Sequence, residues 1–183
     1  MASIGHIALG LCAARWRHGG ALPWRSGLAW SLLSLAPDAD VVAFVLRIPY
    51  AHPFGHRGAS HSVGAAVLAG VVAWLLTRNR RDTALAALVW LSHPILDAMT
   101  DGGLGVALFW PVDDVRVFAP WQPIPVSPIG HAFLSARGLQ VALTELVLFL
   151  PAWAFALWPR SRAAVGAPKS ADSSLDSRAK PPG

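Results

Sequence analysis

The sequence has few charged residues: 14% of its 183 residues, against about 25% in an average soluble domain. It contains only two lysines, one glutamate and one cysteine. A chain of this length can bury a core, but so few charges cannot cover a water-facing surface of that size. The lone Cys12 excludes an internal disulfide and a multi-cysteine zinc site. The composition therefore argues against a soluble enzyme and indicates a membrane protein.

Apolar residues are abundant instead, at 54%, and they fall in five stretches: 2–14, 27–46, 61–77, 83–99 and 139–158. A bilayer core needs about 20 helical residues, so the last stretch is long enough for one clean span. The third and fourth are at the short limit, and the first is too short to span alone. Pro37 interrupts the second, which predicts two half-helices or a span that unwinds there. We predict an all-α fold, a small polytopic helical membrane bundle with four to five membrane segments.

The basic residues carry a topology signal. If the first segment starts outside, eleven basic residues lie on the inner side and four on the outer side: Arg15, Arg17, Arg25, Arg78, Arg80, Arg81, Arg160, Arg162, Lys169, Arg178 and Lys180 against Arg47, Arg57, Arg116 and Arg137. This is the positive-inside bias of membrane proteins, so the net charge of +5 does not indicate a nucleic-acid partner. We expect a helical membrane domain at 1–159, a disordered basic cytoplasmic tail at 160–183, and the lipid bilayer as partner. The oligomeric state is not predicted.

Ionisable residues inside apolar segments are costly, and they therefore indicate a functional site. Asp38 and Asp40 follow the proline of the second segment, where two carboxylates can turn toward one cation. His93 and Asp97 are four residues apart, which places them on one helix face. With this topology, six of the seven histidines lie on the outer side. Histidine and carboxylate ligands without thiolate favour zinc, manganese or iron.

A third group of polar residues begins the third segment, where His56, Arg57, Ser60 and His61 lie within six positions. Ser60 is placed to cap the helix that follows. Other polar residues have simpler explanations. We interpret His18, His52 and His131 as ordinary polar residues and not as metal ligands. Glu145 is expected to be protonated or paired within the bundle.

These motifs together resemble the YdjM-type family over about residues 1–112. The resemblance rests on a histidine near the start, followed by Pro37-Asp38-Ala39-Asp40, His56-Arg57-Gly58-Ala59-Ser60-His61, His93-Pro94-Ile95-Leu96-Asp97 and Trp110-Pro111. Ser60 replaces the usual threonine, and Pro94 replaces a common aliphatic residue. The resemblance implies an inner-membrane-associated, metal-dependent hydrolase whose site residues are His6, Asp38, Asp40, His56, Arg57, His61, His93 and Asp97.

The expected function follows from these residues. His6, Asp38, Asp40, His56, His61, His93 and Asp97 would bind one or two divalent metals, zinc first, with manganese or iron as alternatives. Asp40 or Asp97 would accept a proton from water, and Arg57 would bind an oxyanion of a phosphoester or lipid-linked substrate at the outer face of the inner membrane. A transporter that moves ions or protons past intramembrane Asp and His is the alternative. A scaffold without catalysis is a third hypothesis.

Overall fold

The computed structural model describes residues 3–128 and 130–159, so the predicted tail at 160–183 lies outside the described residues. Over the described part the fold is all-α, as predicted, and β-structure is limited to two isolated bridges that join Thr100 to Ile124 and Val106 to Val117. The α-helices are α1 (Ser3–Arg17), α2 (Trp24–Leu35), α3 (Val42–Val45), α4 (Val63–Thr77), α5 (Arg80–Ala98), α6 (Ala136–Leu148) and α7 (Leu150–Leu157), with 3₁₀ turns at Ala36–Val41, Ala59–His61 and Gly130–Leu134.

The second apolar segment unwinds at its proline, which confirms one of the two expected forms. α2 ends at Leu35, and the chain continues as the 3₁₀ turn Ala36–Val41 before α3 resumes the α-helical path. Proline cannot donate a backbone hydrogen bond, so the tighter turn begins where Pro37 lies. The whole stretch Trp24–Val45, 22 residues, is long and apolar enough to cross a membrane.

The last apolar segment differs from its prediction of one clean span, because α6 and α7 meet at an angle of 66°. Pro151 lies in the first turn of α7, and its ring is incompatible with a continuous helix through this point. Among the described residues, one helix can cross a membrane by length and composition, or two if this bent pair forms one span. The described helices therefore provide one or two candidate membrane spans, and the predicted four to five are not confirmed.

The helices approach closely because small residues lie between them. A Cβ added to Gly10 of α1 would lie 2.6 Å from the Cα of Ser31 in α2. A Cβ added to Gly70 of α4 would lie 3.1 Å from the Cβ of Ala87 in α5. Small residues at helix crossings are typical of membrane bundles, where tight backbone packing replaces the hydrophobic effect. α1 packs on α2, α5, α6 and α7, so it is the central helix of the bundle.

The distribution of polar and apolar side chains is the reverse of that in a soluble protein. Among the largest fully buried side chains are Arg57, Glu145 and four histidines. Large apolar side chains are exposed on the outer faces of α2, α4 and α6, for example Leu32 at 57%, Leu68 at 62% and Leu139 at 62%. Water would not stabilise such a surface, whereas lipid chains would.

Candidate metal centre

The structure brings all eight sequence-predicted site residues into one buried cluster, here called the His–Asp cluster: His6, Asp38, Asp40, His56, Arg57, His61, His93 and Asp97. Their side chains are between 0% and 9% exposed. Distant parts of the chain supply them, from the first turn of α1 to the last turns of α5. The cluster is therefore a product of the tertiary fold.

Two 3₁₀ turns, Ala36–Val41 and Ala59–His61, position several of these side chains. Asp38 and Asp40 lie in the 3₁₀ turn after α2, where about 120° of rotation per residue sends them in different directions. His61 ends the 3₁₀ turn before α4. Ser62, and not Ser60 as expected, caps α4 by accepting a hydrogen bond from the N–H of Ala65 at 3.1 Å.

The centre of the cluster consists of Asp38, His61, His93 and Asp97, whose potential ligand atoms all lie within 4.8 Å of one another. His93 Nε2 lies 3.3 Å from Asp38 Oδ1, and His61 Nε2 lies 3.5 Å from Asp97 Oδ2 and 3.6 Å from Asp38 Oδ1. Four ligands placed about 2.0–2.1 Å from a tetrahedral ion would be separated by about 3.3–3.4 Å. These three separations, of 3.3–3.6 Å, are close to that value.

The Nδ1 atoms of His93 and His61 point away from the centre, and their contacts determine that Nε2 is the nitrogen that faces the centre as an acceptor. His93 Nδ1 lies 2.7 Å from the carbonyl oxygen of Ser34, which can only accept, so Nδ1 carries the proton. His61 Nδ1 lies 3.0 Å from Asp40 Oδ2. In the neutral rings both Nε2 lone pairs therefore point toward carboxylate oxygens. A metal ion between them, or a second proton on an imidazole, would turn this repulsion into attraction.

Unsatisfied polar atoms coincide with the same centre. His61 Nε2, His93 Nε2, both ring nitrogens of His6 and both carboxylate oxygens of Asp38 are buried without a hydrogen-bond partner among the described residues. Such atoms are rare, because more than about 90% of buried polar groups in proteins have a partner. His6 stacks on His93 with ring centroids 3.7 Å apart, and its Nε2 lies 3.6 Å from Asp97 Oδ1. The donor set and its unsatisfied atoms therefore fit a divalent metal.

Asp40 lies beside the centre and accepts several hydrogen bonds. His56 Nδ1 lies 2.6 Å from Asp40 Oδ1, while the Arg57 N–H and the Ser60 hydroxyl donate to Oδ2 at 3.0 and 2.6 Å. Together with the His61 contact, this makes Asp40 the residue that orients two imidazoles. Asp40, His56 and His61 also form a second group with metal-ligand spacing.

Arg57 is buried inside the cluster. Its Nε lies 2.9 Å from Asp97 Oδ2 and its Nη1 donates to the carbonyl of Gly102 at 2.9 Å. Tyr50 lies against His56 with ring centroids 5.3 Å apart, and burial raises the pKa of its hydroxyl above the ordinary value. Two guanidinium nitrogens of Arg57, Nε and Nη1, therefore already contact groups of the protein, Asp97 and the carbonyl of Gly102. Binding of a substrate oxyanion by Arg57 stays a prediction.

Two residues that hold the site in place are not evident as site residues from the sequence. Glu145 on α6 accepts hydrogen bonds from the N–H groups of Ile4 and Gly5 at 2.9 and 3.3 Å, and so caps α1 beside His6. The sequence signal for Glu145 is its position as a lone acid in an apolar stretch, but the capping partner is visible only in the fold.

Arg116 is the other such residue, and it binds the loop that carries His56 and Arg57. Nη1 donates to the carbonyl of His56 at 3.0 Å, and Nη2 donates to the carbonyl of Tyr50 at 2.8 Å. The guanidinium also lies 5.5 Å from the Tyr50 ring centroid. Nothing in the local sequence around Arg116 indicates this role, because its partners are about 60 positions away.

The remaining histidines lie outside the cluster, in agreement with their simpler interpretation. His18 Nε2 lies 2.9 Å from the hydroxyl of Ser26, and His52 Nδ1 accepts from the N–H of Phe54 at 3.1 Å. His131 lies in the exposed 3₁₀ turn Gly130–Leu134. These residues provide histidine controls for experiments on the cluster.

The fold and site define a class of protein, an all-helical membrane protein with a His–Asp cluster buried beneath an apolar exterior. The family model described as YdjM inner membrane protein matches residues 1–165, and the chain belongs to this family. It is also similar to inner membrane protein YbcI of Escherichia coli (strain K12), with 38% identity over 172 residues, 87% of this chain and 98% of YbcI. No solved structure matches the chain.

Proposed function

We propose that the chain is a metal-dependent hydrolase of the inner membrane, with one divalent ion bound by Asp38, His61, His93 and Asp97 and approached by His6. The convergence of the unsatisfied Nε2 atoms of His61 and His93 and the unsatisfied carboxylate oxygens of Asp38 on one buried point carries this proposal. Zinc is the ion that best suits this mixture of ligands at these separations, with manganese or iron as alternatives. When bound, such an ion supplies Lewis acidity and makes water a nucleophile near neutral pH.

Asp40 and Asp97, the two carboxylates that could accept a proton from water, differ in exposure. The side chain of Asp40 is 9% exposed and that of Asp97 is 0% exposed. We assign proton acceptance from water to Asp40, because it is the more exposed of the two and lies beside the centre, and metal binding to Asp97. Asp40 also keeps a proton on Nδ1 of His61 and so holds Nε2 ready as a ligand.

Arg57 holds Asp97 in the ligand position and offers Nη2 to an oxyanion of the substrate. A phosphoester, in a lipid or a lipid-linked intermediate, is the substrate class that fits a cationic contact in a membrane-embedded site. The topology that we propose with this function is multi-pass, with residues 1–159 in the membrane domain, residues 160–183 in the cytoplasm and the His–Asp cluster toward the outer face. The excess of basic residues on the opposite side supports that orientation.

Metal content and hydrolysis test the proposal on the same samples. The full-length protein, purified in detergent, is analysed for bound metal and assayed with phosphomonoester and phospholipid substrates. We expect about one metal ion per chain, lost in His61→Ala and retained in His52→Ala, since His52 is exposed and outside the cluster. Equal metal content in both variants would refute the metal centre. Metal without hydrolysis would refute the reaction only.

A metal- or proton-coupled transporter is the second candidate. It is favoured by the 3₁₀ turn at Ala36–Val41, which interrupts the best membrane span and carries two cluster carboxylates. Interrupted helices with unwound backbone near their ligands are common in transporters. Purified protein in liposomes distinguishes the two functions. Metal or proton flux that Asp38→Asn abolishes would support transport, whereas phosphoester hydrolysis without flux would support the enzyme.

A further inference from the structure

Three cavities with shared lining residues lie at the end of the bundle that is remote from the His–Asp cluster. All three are lined by residues from Trp16–Arg17 or Arg80–Asp82. His6 and Arg17 are 17 − 6 = 11 residues apart on α1, which corresponds to about 16 Å along the helix axis. This group of cavities is therefore separate from the candidate metal centre.

Two of the cavities are apolar grooves. The first, of about 400 Å³, lies between α2, α4 and α5 and is lined mainly by side chains such as Leu33, Val72 and Leu76. The second, of about 360 Å³, lies along α5 and is lined by Ala84, Leu85 and Leu88, with Trp16 beside them. Each groove also has arginines in its lining, Arg17 in the first and Arg80 and Arg81 in the second.

The third cavity has the most polar lining of the three and shares residues with both grooves. It has a volume of about 290 Å³ and is lined by Trp16, Arg17, Asn79, Arg81 and Asp82. It shares Arg17 and Asp82 with the first groove, and Trp16 and Arg81 with the second. A cavity with polar side chains that shares residues with two apolar grooves suits a polar headgroup with two apolar chains.

The charges around the polar cavity favour an anion. Arg17 binds Asp82 with two hydrogen bonds, of 2.6 and 2.9 Å, so the one acidic side chain lining the cavity is already neutralised. Arg80 and Arg81 are exposed at the same place and have no acidic partner assigned to them within the described residues. The balance is therefore positive, which complements a phosphate and attracts anionic lipids.

We propose that this end of the bundle binds one diacyl phospholipid with an anionic headgroup, its phosphate in the polar cavity near Arg81 and one acyl chain in each groove. Such a lipid is available to a protein of the inner membrane. The assignment differs from a general attraction of arginines to an anionic membrane surface, because it depends on which arginine is present and on whether the grooves are open.

Native mass spectrometry of the full chain in detergent tests this site, with phosphatidylglycerol and phosphatidylcholine of identical acyl chains as probes. We expect one phosphatidylglycerol per chain, bound at least about fivefold more tightly than phosphatidylcholine. Arg81→Gln should weaken phosphatidylglycerol binding by about fivefold. Arg25→Gln removes the same charge from an exposed arginine that lines none of the three cavities, and it should leave binding unchanged.

The acyl-chain part of the site has its own variant. Ala84→Trp places a large ring in the second groove at an exposed position, so folding is retained while binding of both lipids should fall. Equal losses in Arg25→Gln and Arg81→Gln, or equal binding of the two lipids by the unmodified chain, would overturn the headgroup assignment. Unchanged binding in Ala84→Trp would overturn the groove assignment. None of these results depends on metal at the His–Asp cluster.

Discussion

Replacement of Asp40 by asparagine distinguishes a ligand from a residue that orients ligands. Asparagine keeps the size of the side chain and one acceptor oxygen, but its amide NH₂ cannot accept a hydrogen bond. Asp40 contacts four donors, at 2.6 Å from His56, 3.0 Å from the Arg57 N–H, 2.6 Å from Ser60 and 3.0 Å from His61. One acceptor oxygen cannot retain this arrangement, so at least one imidazole loses the partner that fixes its tautomer and direction.

The expected magnitude follows from this indirect role. Loss of a group that orients metal-binding histidines typically reduces metal affinity by about 10–100-fold. Asp38→Asn replaces a carboxylate oxygen at the centre itself by an NH₂ group and removes the negative charge, and should therefore reduce affinity further than Asp40→Asn does. Competition with a chelator of known affinity, followed by measurement of retained Zn²⁺, gives both values. Asp114→Asn, in an exposed part of the loop after α5, is the matched control.

Two results would refute the assignment of Asp40. If Asp40→Asn binds metal as tightly as the unmodified chain, the contacts of Asp40 with His56 and His61 do not control the centre. If it loses metal as completely as Asp38→Asn, Asp40 is itself a ligand, and the group formed by Asp40, His56 and His61 is the metal site.

Three further substitutions test how the fold holds the cluster. Glu145→Ala leaves the buried N–H of Gly5 and the part-buried N–H of Ile4 without their acceptor and should destabilise the protein by about 1–3 kcal/mol in unfolding measurements. Glu145→Gln, which keeps one acceptor oxygen, should recover part of this, and an unchanged melting temperature in Glu145→Ala would contradict the capping role. Arg116→Ala removes hydrogen bonds to the carbonyls of Tyr50 and His56 and should accelerate amide hydrogen exchange across residues 50–57. Arg137→Ala, at an exposed arginine, should not, and equal exchange in both variants would show that Arg116 does not restrain this loop. Gly10→Ala places a methyl carbon 2.6 Å from a backbone atom of α2 and should lower the free energy of unfolding by about 1–3 kcal/mol. Gly27→Ala, whose methyl carbon meets a flexible leucine side chain at 3.1 Å, should lower it less, and the reverse order would contradict the close α1–α2 packing.

Much of the candidate site can be predicted from local sequence, because its residues belong to motifs in which spacing carries chemical meaning. His93 and Asp97 are one helical turn apart, and α5 places both in the cluster. Pro37 predicted the unwinding that turns Asp38 and Asp40 away from a regular helix. The 66° bend between α6 and α7 was not predicted, since hydropathy measures the length of an apolar stretch and not its direction.

Other features depend on contacts between distant parts of the chain. The separate roles of Asp38 and Asp40 follow from which imidazole each one meets, and those imidazoles come from other segments. Ser34 determines the tautomer of His93 through a backbone carbonyl 59 residues away, a group that every residue possesses. No side-chain pattern can reveal such a partner, because the sequence at Ser34 looks the same whether or not a histidine approaches it.

By itself, the sequence determined that this protein is helical, belongs in a membrane and carries eight polar residues whose burial needs a functional reason. The scarcity of charge indicated the membrane, the apolar stretches indicated helices, and the resemblance to the YdjM-type family completed the set of eight, whose ionisable groups have a high energetic cost in apolar segments. Only the tertiary structure decided which nitrogen and oxygen atoms converge, that Arg57 turns inward to Asp97, and that Glu145 and Arg116 hold the segments around them. Such distances are fixed by helix packing, which joins residues far apart in the chain.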